Sequence, residues 1–388
     1  MFDINVAGIL IASLLVLVAL GVHIAIALGV ASALGIYFVT DDVHVVTTML
    51  GSTAYESLRD YVFAVIPLFM LMGEFIARSG AVTDLYRGIN RLLKRLPGRL
   101  AIATVLGNAL FSFVTGVSIA SAAAFSRVSY PEMKRFGYHR GFALGVVAGS
   151  SCLGMLIPPS VLMIVWGILT EKSIGQIFLA GVLPGLLLTA MFVAYIFASA
   201  LLRPGVVGGG ADMNADKGTD EMPLSAIVIS FGGILAVIFA VLGGIWFGVF
   251  TPTEGAGAGA LIGLALGISK GMRYKAIIES ILSVGRTSAP ILLLLVTASL
   301  YSRALAMTGV SSAIQDLFLR SGITPFLIIV IMVVVWFLLG MVIDSISIML
   351  LTVPIFAPIA EQLGYNPIAF AIIGILAIEA GLLTPPFG

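Results

Sequence analysis

The sequence predicts an all-α polytopic membrane protein made of two inverted-topology repeats. Each repeat is expected to hold a re-entrant hairpin and a helix broken at a Pro-Pro pair. The first observation is compositional: hydrophobic residues make up 60% of the 388 and charged residues only 10%. A soluble domain carries roughly 25% charged residues, so this chain lies on the membrane side of that divide. The mean hydropathy of +1.15 agrees. The second is a repeat: Leu153-Gly-Met-Leu-Ile-Pro-Pro-Ser160 returns as Ala380-Gly-Leu-Leu-Thr-Pro-Pro-Phe387, an offset of 227 residues. The same offset carries Gly21-Val22 to Gly248-Val249, Ser118-Ile119 to Ser345-Ile346, Pro131 to Pro358, and Gly137-Tyr138 to Gly364-Tyr365. The third is the chemistry of the repeated motif. Two consecutive prolines remove two backbone donors and break a helix, and matched breaks in two hydrophobic halves point to a transporter's binding site.

Taken in order, Ile4–Leu20 and Val22–Val39 are apolar segments near the length of a membrane span. Residues 5–20 have no basic leader and run straight into more apolar sequence, so they read as a helix and not as a cleaved signal. His23 is a candidate to bind a substrate anion or carry a proton, although a helix end, where a polar tip is tolerated, accounts for it as well. From Thr40 to Asp60 the chain carries Asp41, Asp42, Glu56 and Asp60 against Arg59, and is expected to be a loop on the non-cytoplasmic side. Tyr61–Gly80 is a helix containing Pro67 and Glu74. A basic loop with Arg87, Arg91, Lys94, Arg95 and Arg99 follows, cytoplasmic by the positive-inside rule.

Leu100 to about Phe125 is apolar and rich in small residues, and the chain is basic again at Arg127, Lys134, Arg135 and Arg140. Two cytoplasmic flanks require an even number of crossings, yet this stretch is too short for two spans. A re-entrant hairpin over about 100–130 resolves the conflict, its tip at Thr115-Gly-Val-Ser118. Gly141–Leu169 is then the first broken helix, and Ile177–Leu202 returns to the cytoplasm. Residues 1–202 form the first repeat, residues 203–223 a Gly-rich linker, and residues 224–388 the second repeat.

In the second repeat, Leu224–Phe247 and Gly248–Ile268 are expected helices. Lys270, Arg273, Lys275 and Arg286 mark a cytoplasmic loop where the first repeat is acidic, the charge inversion that an inverted repeat requires. A helix over Ser288–Met307 follows. The second hairpin spans about 326–358 with its tip at Val342-Ile-Asp-Ser-Ile-Ser347, its flanks Asp316–Thr324 and Glu361–Asn366 expected outside. A broken helix begins at Pro367. The stretch Leu162–Leu202 in the first repeat has no counterpart after the second Pro-Pro, so the C-terminal end of this repeat is expected beyond Gly388.

At a hairpin tip or a helix break, carbonyls lose their intrahelical partners and can ligate a cation, while helix N-termini offer N–H groups and a positive dipole end to an anion. Thr115, Gly116 and Ser118, with Ile157, Pro158 and Ser160, are candidates for one cation site. Asp344, Ser345 and Ser347, with Thr384 and Pro385, are candidates for a second. Ser118, Ser160, Asp344 and Arg303 are candidates for the substrate. Ser and Thr in membrane helices ordinarily bond their own or a neighbouring backbone, and Gly116 could be no more than a turn residue. Asp344, Glu379, Glu254, Glu74 and Arg303 carry more weight, because ionisable groups in a membrane are costly. Glu379, five residues before Thr384, could support the second site.

Several motifs run through the chain in order: Ile66-Pro-Leu-Phe-Met-Leu-Met-Gly-Glu74, Ser129-Tyr-Pro-Glu-Met-Lys134 with Gly137-Tyr138, Leu156-Ile-Pro-Pro-Ser160, Ile177-Phe-Leu-Ala-Gly181 with Leu183-Pro-Gly185, Phe250-Thr-Pro-Thr-Glu254, Asp344 with Pro354-Ile-Phe-Ala-Pro358, and Gly381-Leu-Leu-Thr-Pro-Pro386. With these the sequence resembles the large membrane subunit of tripartite ATP-independent periplasmic (TRAP) transporters, the DctM-like permeases. The resemblance implies an elevator-type secondary transporter in the bacterial inner membrane, driven by sodium and importing an organic acid. It also implies two partners, a periplasmic substrate-binding protein and a small membrane subunit, here expected as a separate chain. Val117 departs from the family at a tip position where a small polar residue is expected.

A stand-alone sodium-coupled dicarboxylate carrier would share the same plan. An intramembrane enzyme or channel is disfavoured: no His-Glu-x-x-His, Gly-x-Ser-x-Gly or paired-carboxylate motif is present, and two separate sites suit alternating access better than a pore. A net charge of +1 gives no reason to expect nucleic acid, and the lone Cys152 excludes an internal disulfide.

Overall fold

The computed structural model describes residues 4–94, 96–208, 224–309 and 322–385. Most of the expected linker (209–223), part of the flank before the second hairpin (316–321) and Pro386 of the second Pro-Pro pair lie outside the described residues. Among the described residues the protein is all-α, with one isolated antiparallel bridge between Tyr138 and Val207. Among the described residues, six helices are long and apolar enough to cross a membrane, and several shorter ones are apolar. The chain is a polytopic membrane protein.

At both expected hairpin positions the chain forms a helix–turn–helix unit. The first joins α6 (Arg99–Thr115) to α7 (Ser118–Arg135). In the second, α15 (Pro325–Gly340) leads to α16 (Ser345–Gln362). α7 and α16 start and stop at the 227-residue offset, Ser118 against Ser345 and Arg135 against Gln362. The helices that follow, α8 (Arg140–Ser151) and α17 (Pro367–Leu382), also start in register. Matched glycines close matched turns: Gly21 and Gly248 have φ of 78° and 73°, Gly137 and Gly364 have 75° and 84°. These left-handed values suit glycine, which has no Cβ to clash.

Three expectations about loops are corrected. The acidic segment Thr40–Asp60 is mostly α3 (Val43–Arg59), started by the Asp42 carboxylate accepting from the His44 amide at 2.7 Å. One of the acidic residues taken as a loop signal is therefore a helix cap. The basic stretch before Arg99 contains the end of α5 (Ala81–Leu92), whose buried Val82, Leu85, Tyr86 and Ile89 recur at helical spacing. Counting charge concealed that amphipathic period. The basic residues from Lys275 to Arg286 lie within α14 (Tyr274–Thr308), an uninterrupted helix through Pro290. Its first-half counterpart is broken by a 3₁₀ turn, Tyr61–Ala64, between α3 and α4 (Val65–Arg78).

The described residues form two compact units, and neither coincides with a half of the sequence. Met1–Ala64, Val165–Ser173 and Arg286–Gly388 make the first. Here α1 (Ile4–Ala19) and α2 (Ile24–Thr40) pack closely, a Cβ on Gly35 reaching within 2.6 Å of Leu10. Its core is aromatic: Trp166, Trp336 and Phe370 meet with centroids 5.2–5.9 Å apart, and Phe356 adds an edge at 5.3 Å from Trp336. The buried Trp336 Nε1 donates to Thr352 Oγ1 at 2.7 Å, so the indole carries no unmet donor into the core.

The second unit is Val65–Ile164 with Ile174–Gly285. It contains α4 to α8, the short α9 (Leu153–Leu156), the start of α10 (Val161–Thr170), α11 (Ile174–Leu202), and α12 (Leu224–Ile238). α12 continues through a π turn, Phe239–Gly243, to Trp246. α13 (Pro252–Ser269) begins with a capping box in which Thr251 and Glu254 satisfy each other's backbone donors. Gly255, Gly259 and Gly263 line α13 at four-residue spacing. A Cβ on Gly259 would lie 2.4 Å from Met72 Sδ, and one on Gly263 would lie 3.1 Å from Met72 O. This small-residue face lets α4 and α13 approach backbone to backbone, the usual way helices associate in lipid.

Candidate ion and substrate sites

The first candidate site lies wholly within the second unit. α6 ends at Thr115, Gly116 turns with φ 61°, and the extended Val117 leads into α7 at Ser118. Opposite this tip, α9 ends with the Ile157 amide closing its last turn on Leu153 O at 2.8 Å, and Pro158-Pro159 separate it from α10, whose first turn starts with the Ile164 amide on Ser160 O at 3.1 Å. The Pro158–Pro159 bond is cis. The Val161 amide donates to Gly116 O at 3.1 Å, tying the tip to the residue that restarts the helix. Contact is tight: a Cβ on Gly116 would fall 2.5 Å from Pro159 O, and one on Gly154 would fall 3.0 Å from Val117 O and 3.1 Å from Ser118 N. The structure thus brings Gly116 and Ser118 together with the Pro-Pro break.

The side chains there are largely committed to backbone. Thr115 Oγ1 donates to Phe111 O at 3.2 Å and lies 3.5 Å from Ser121 Oγ. Ser160 Oγ donates to Met155 O at 2.6 Å and accepts from the Met163 amide at 3.4 Å, spanning the break. Donating leaves each hydroxyl oxygen with lone-pair capacity. Ser118 is buried, and Val117 supplies no side-chain cap to α7, so that helix meets the tip with its first N–H groups uncapped by a side chain.

The second candidate site lies wholly within the first unit and is built differently. After α15, Met341–Ile343 turn, and Asp344 caps α16 by accepting from the Ser347 amide and, at 2.7 Å, from Ser347 Oγ. Asp344 occupies the register position of Val117, so the two tips differ in whether a carboxylate meets the helix N-terminus. Ser345 Oγ donates to Glu379 Oε1 at 2.8 Å, and Glu379 is only 2% exposed. That bond joins the hairpin to α17. A Cβ on Gly340 would come 2.7 Å from Gly381 Cα, which seats α17 against α15. Thr384 bonds within its own turn, to Ala380 O at 3.0 Å and Gly381 O at 2.9 Å, with Pro385 next.

Other candidates are engaged elsewhere. Arg303 pairs with Glu56 at 2.5 Å, both half-exposed, away from the hairpin residues in its hydrogen bonding. His23 caps α2 by accepting from the Ala25 amide. Glu74 and Glu279 flank Arg78 at 2.6 and 3.2 Å. The cluster that sequence reading missed is Asp84, Ser230 and Lys270. Ser230 Oγ donates to Asp84 Oδ2 at 2.6 Å, Lys270 Nζ donates to Ser230 Oγ at 2.7 Å, and Lys270 forms an ion pair with Asp84. Burial pushes the Lys270 ammonium below its ordinary range. An acidic residue on the buried side of an amphipathic helix, Asp84 among Val82 and Leu85, was the available signal.

The sequence matches the family model described as "Tripartite ATP-independent periplasmic transporter, DctM component" over residues 11–388. It is 34% identical to the C4-dicarboxylate TRAP transporter large permease protein DctM of Pseudomonas aeruginosa, over 87% of this chain and 78% of that protein. It is 28% identical to the sialic acid TRAP transporter large permease protein SiaM of Vibrio cholerae, over 85% and 76%. A further relative, the isethionate TRAP transporter permease protein DctMQ of Oleidesulfovibrio alaskensis, is 28% identical over 87% of this chain and 53% of its own length. Among solved structures, the Alcanivorax borkumensis YdaH transporter superposes with a TM-score of 0.65 at 12% identity, covering 90% of this chain and 79% of that one. At that identity the likeness concerns the fold.

Proposed function

The chain belongs to the family of the DctM component of tripartite ATP-independent periplasmic transporters, and from that premise we propose that it is the large permease subunit of a sodium-coupled importer of an organic acid. The observation that carries the reading is the docking of the hairpin turn onto the Pro-Pro break, with the Val161 amide on Gly116 O. Such a junction concentrates backbone oxygens outside helical pairing, which is what a hard cation needs. Family relatives named for C4-dicarboxylates and sialic acid support a carboxylate substrate.

In this proposal Thr115, Gly116, Ser118, Ile157 and Pro158 offer the oxygens of one sodium site, and Asp344, Ser345, Thr384 and Pro385 those of a second. The donor set fits: every candidate atom is a carbonyl, hydroxyl or carboxylate oxygen. Sodium bound at the first tip supplies positive charge beside the N-terminus of α7, which no side chain caps, and there the substrate carboxylate would meet Ser118 and Ser160. Asp344 and Arg303 are separate candidates in the first unit. Alternating access follows an elevator movement of hairpins and broken helices between inverted repeats. A separate small membrane subunit and a periplasmic binding protein complete the system in a bacterial inner membrane.

The test is uptake of labelled organic acids into proteoliposomes holding this chain, a small subunit and a binding protein under an inward sodium gradient. Uptake that requires all components and the gradient is expected. Uptake that persists without the binding protein would reassign the chain as a stand-alone carrier, and uptake indifferent to sodium would remove the coupling.

A further inference from the structure

Arg99 opens α6, is 4% exposed, and holds an Nε sealed from solvent with no acceptor. A guanidinium withdrawn from water without a counter-charge is costly, and proteins ordinarily pair it. The buried carboxylate of the same unit, Asp84, is committed to Lys270 and Ser230. The end of α6 is itself short of acceptors. Its N-cap is Gly98, which offers no side chain to the first N–H groups. Arg99 holds the first position of α6, so its buried guanidinium belongs to the same turn as those N–H groups. A guanidinium above the positive end of a helix dipole is a place for an anion.

The surroundings say which anion. A Cβ on Gly98 would lie 3.3 Å from both Ile196 and Ala200, so the start of α6 rests on the end of the membrane-spanning α11. There the next residues, Leu201 and Leu202, are 61% and 81% exposed. Arg87 and Arg91 lie exposed on α5, and Lys94 follows it, at the end that is cytoplasmic by the positive-inside rule. A small free anion would answer the charge and leave the leucines bare. An anionic phospholipid answers both, because basic pockets between helices at the cytoplasmic boundary suit phosphate headgroups. We propose that Arg99 and the N-terminus of α6 bind the phosphate of an anionic phospholipid, with its acyl chain along Leu201 and Leu202.

The test uses the purified full chain in detergent, with lipid retention read by native mass spectrometry and stability by thermal unfolding. Three probes are compared: dioleoylphosphatidylglycerol, dioleoylglycerol with the same acyl chains and no phosphate, and inorganic phosphate. Phosphatidylglycerol alone should be retained and raise the unfolding temperature. Arg99→Gln should weaken retention roughly fivefold or more, the loss expected for one basic contact at the membrane surface, whereas Arg91→Gln should change it little. Equal retention by Arg99→Gln and wild type would overturn the site. Equal stabilisation by dioleoylglycerol would overturn the role of the phosphate, and full stabilisation by inorganic phosphate would overturn the lipid as its source. Should Arg99→Gln fail to fold, the three-probe comparison on the wild type decides, with Arg99→Lys expected to retain lipid weakly because the bidentate fork is lost.

Discussion

The Val161 amide donates to the Gly116 carbonyl at 3.1 Å, so the hairpin turn and the helix break in the second unit hold one another. Neither half of this junction tolerates added bulk. Gly116→Ala would place a Cβ 2.5 Å from Pro159 O at a φ of 61°. The substitution combines overpacking, which costs about 1–3 kcal/mol, with left-handed strain of about 1–2 kcal/mol. A lowered unfolding temperature in detergent is expected, with loss of uptake in reconstituted vesicles. Wild-type stability in Gly116→Ala would refute the tight docking.

Sodium dependence offers a direct probe of the two proposed sites. Ser118→Ala and Thr384→Ala each remove one hydroxyl oxygen while leaving the backbone carbonyls. Each is expected to raise the sodium concentration for half-maximal uptake, with a smaller effect on apparent substrate affinity at saturating sodium. An unchanged sodium response in both would displace the sites from these residues.

Glu379→Gln isolates the bond to Ser345. The amide oxygen can still accept from Ser345 Oγ, but the second carboxyl oxygen is replaced by an amide nitrogen. If the carboxyl group helps hold a cation, Glu379→Gln should weaken sodium stimulation more than it lowers thermal stability. If the residue only braces the hairpin, Glu379→Gln should resemble wild type and Ser345→Ala should lower stability by about 1 kcal/mol. Paired sodium titrations and unfolding curves separate the two outcomes.

The Asp84–Lys270 pair is buried enough for its halves to depend on each other, with side chains 9% and 14% exposed. Removing one partner strands the other charge. Asp84→Asn or Lys270→Met alone should destabilise by about 3 kcal/mol or more. The double variant should recover a substantial part of that loss, because no unpaired charge remains. Additive losses in a double-mutant cycle would show that the pair is not coupled.

The aromatic core of the first unit yields a smaller, local expectation. Trp336→Phe keeps most of the apolar contact with Trp166 and Phe370 but loses the donor to Thr352, which still bonds to Ile348 O. A cost of about 1 kcal/mol for the bond, plus a contribution from the unfilled indole volume, is expected in thermal unfolding.

Much of the fold was legible because the bilayer imposes a simple code. Apolar runs of spanning length, a small-residue turn between basic flanks and its repeat 227 residues later placed the turns before α7 and α16, the first Pro-Pro pair placed the break before α10, and α7 and α16 obey the repeat offset at both ends. What was misread were helices outside that code. α3 and α5 carry charge at a density that resembles loops, and only their capping and buried faces reveal them. Candidate site residues were legible as types and positions. Their engagement was not, because whether Ser160 bonds Met155 O, or Arg303 meets Glu56, depends on chain segments distant from the motif.

The sequence by itself determined the membrane class, the internal repeat, the two turning points and the family, since each depends on composition, spacing or local backbone chemistry. Only the tertiary structure decided that Gly116 seats under Pro159, that Glu379 meets Ser345, and that Asp84 is paired with Lys270. Those are contacts between residues far apart in the chain, and their energies come from packing distances and desolvation that no local pattern encodes.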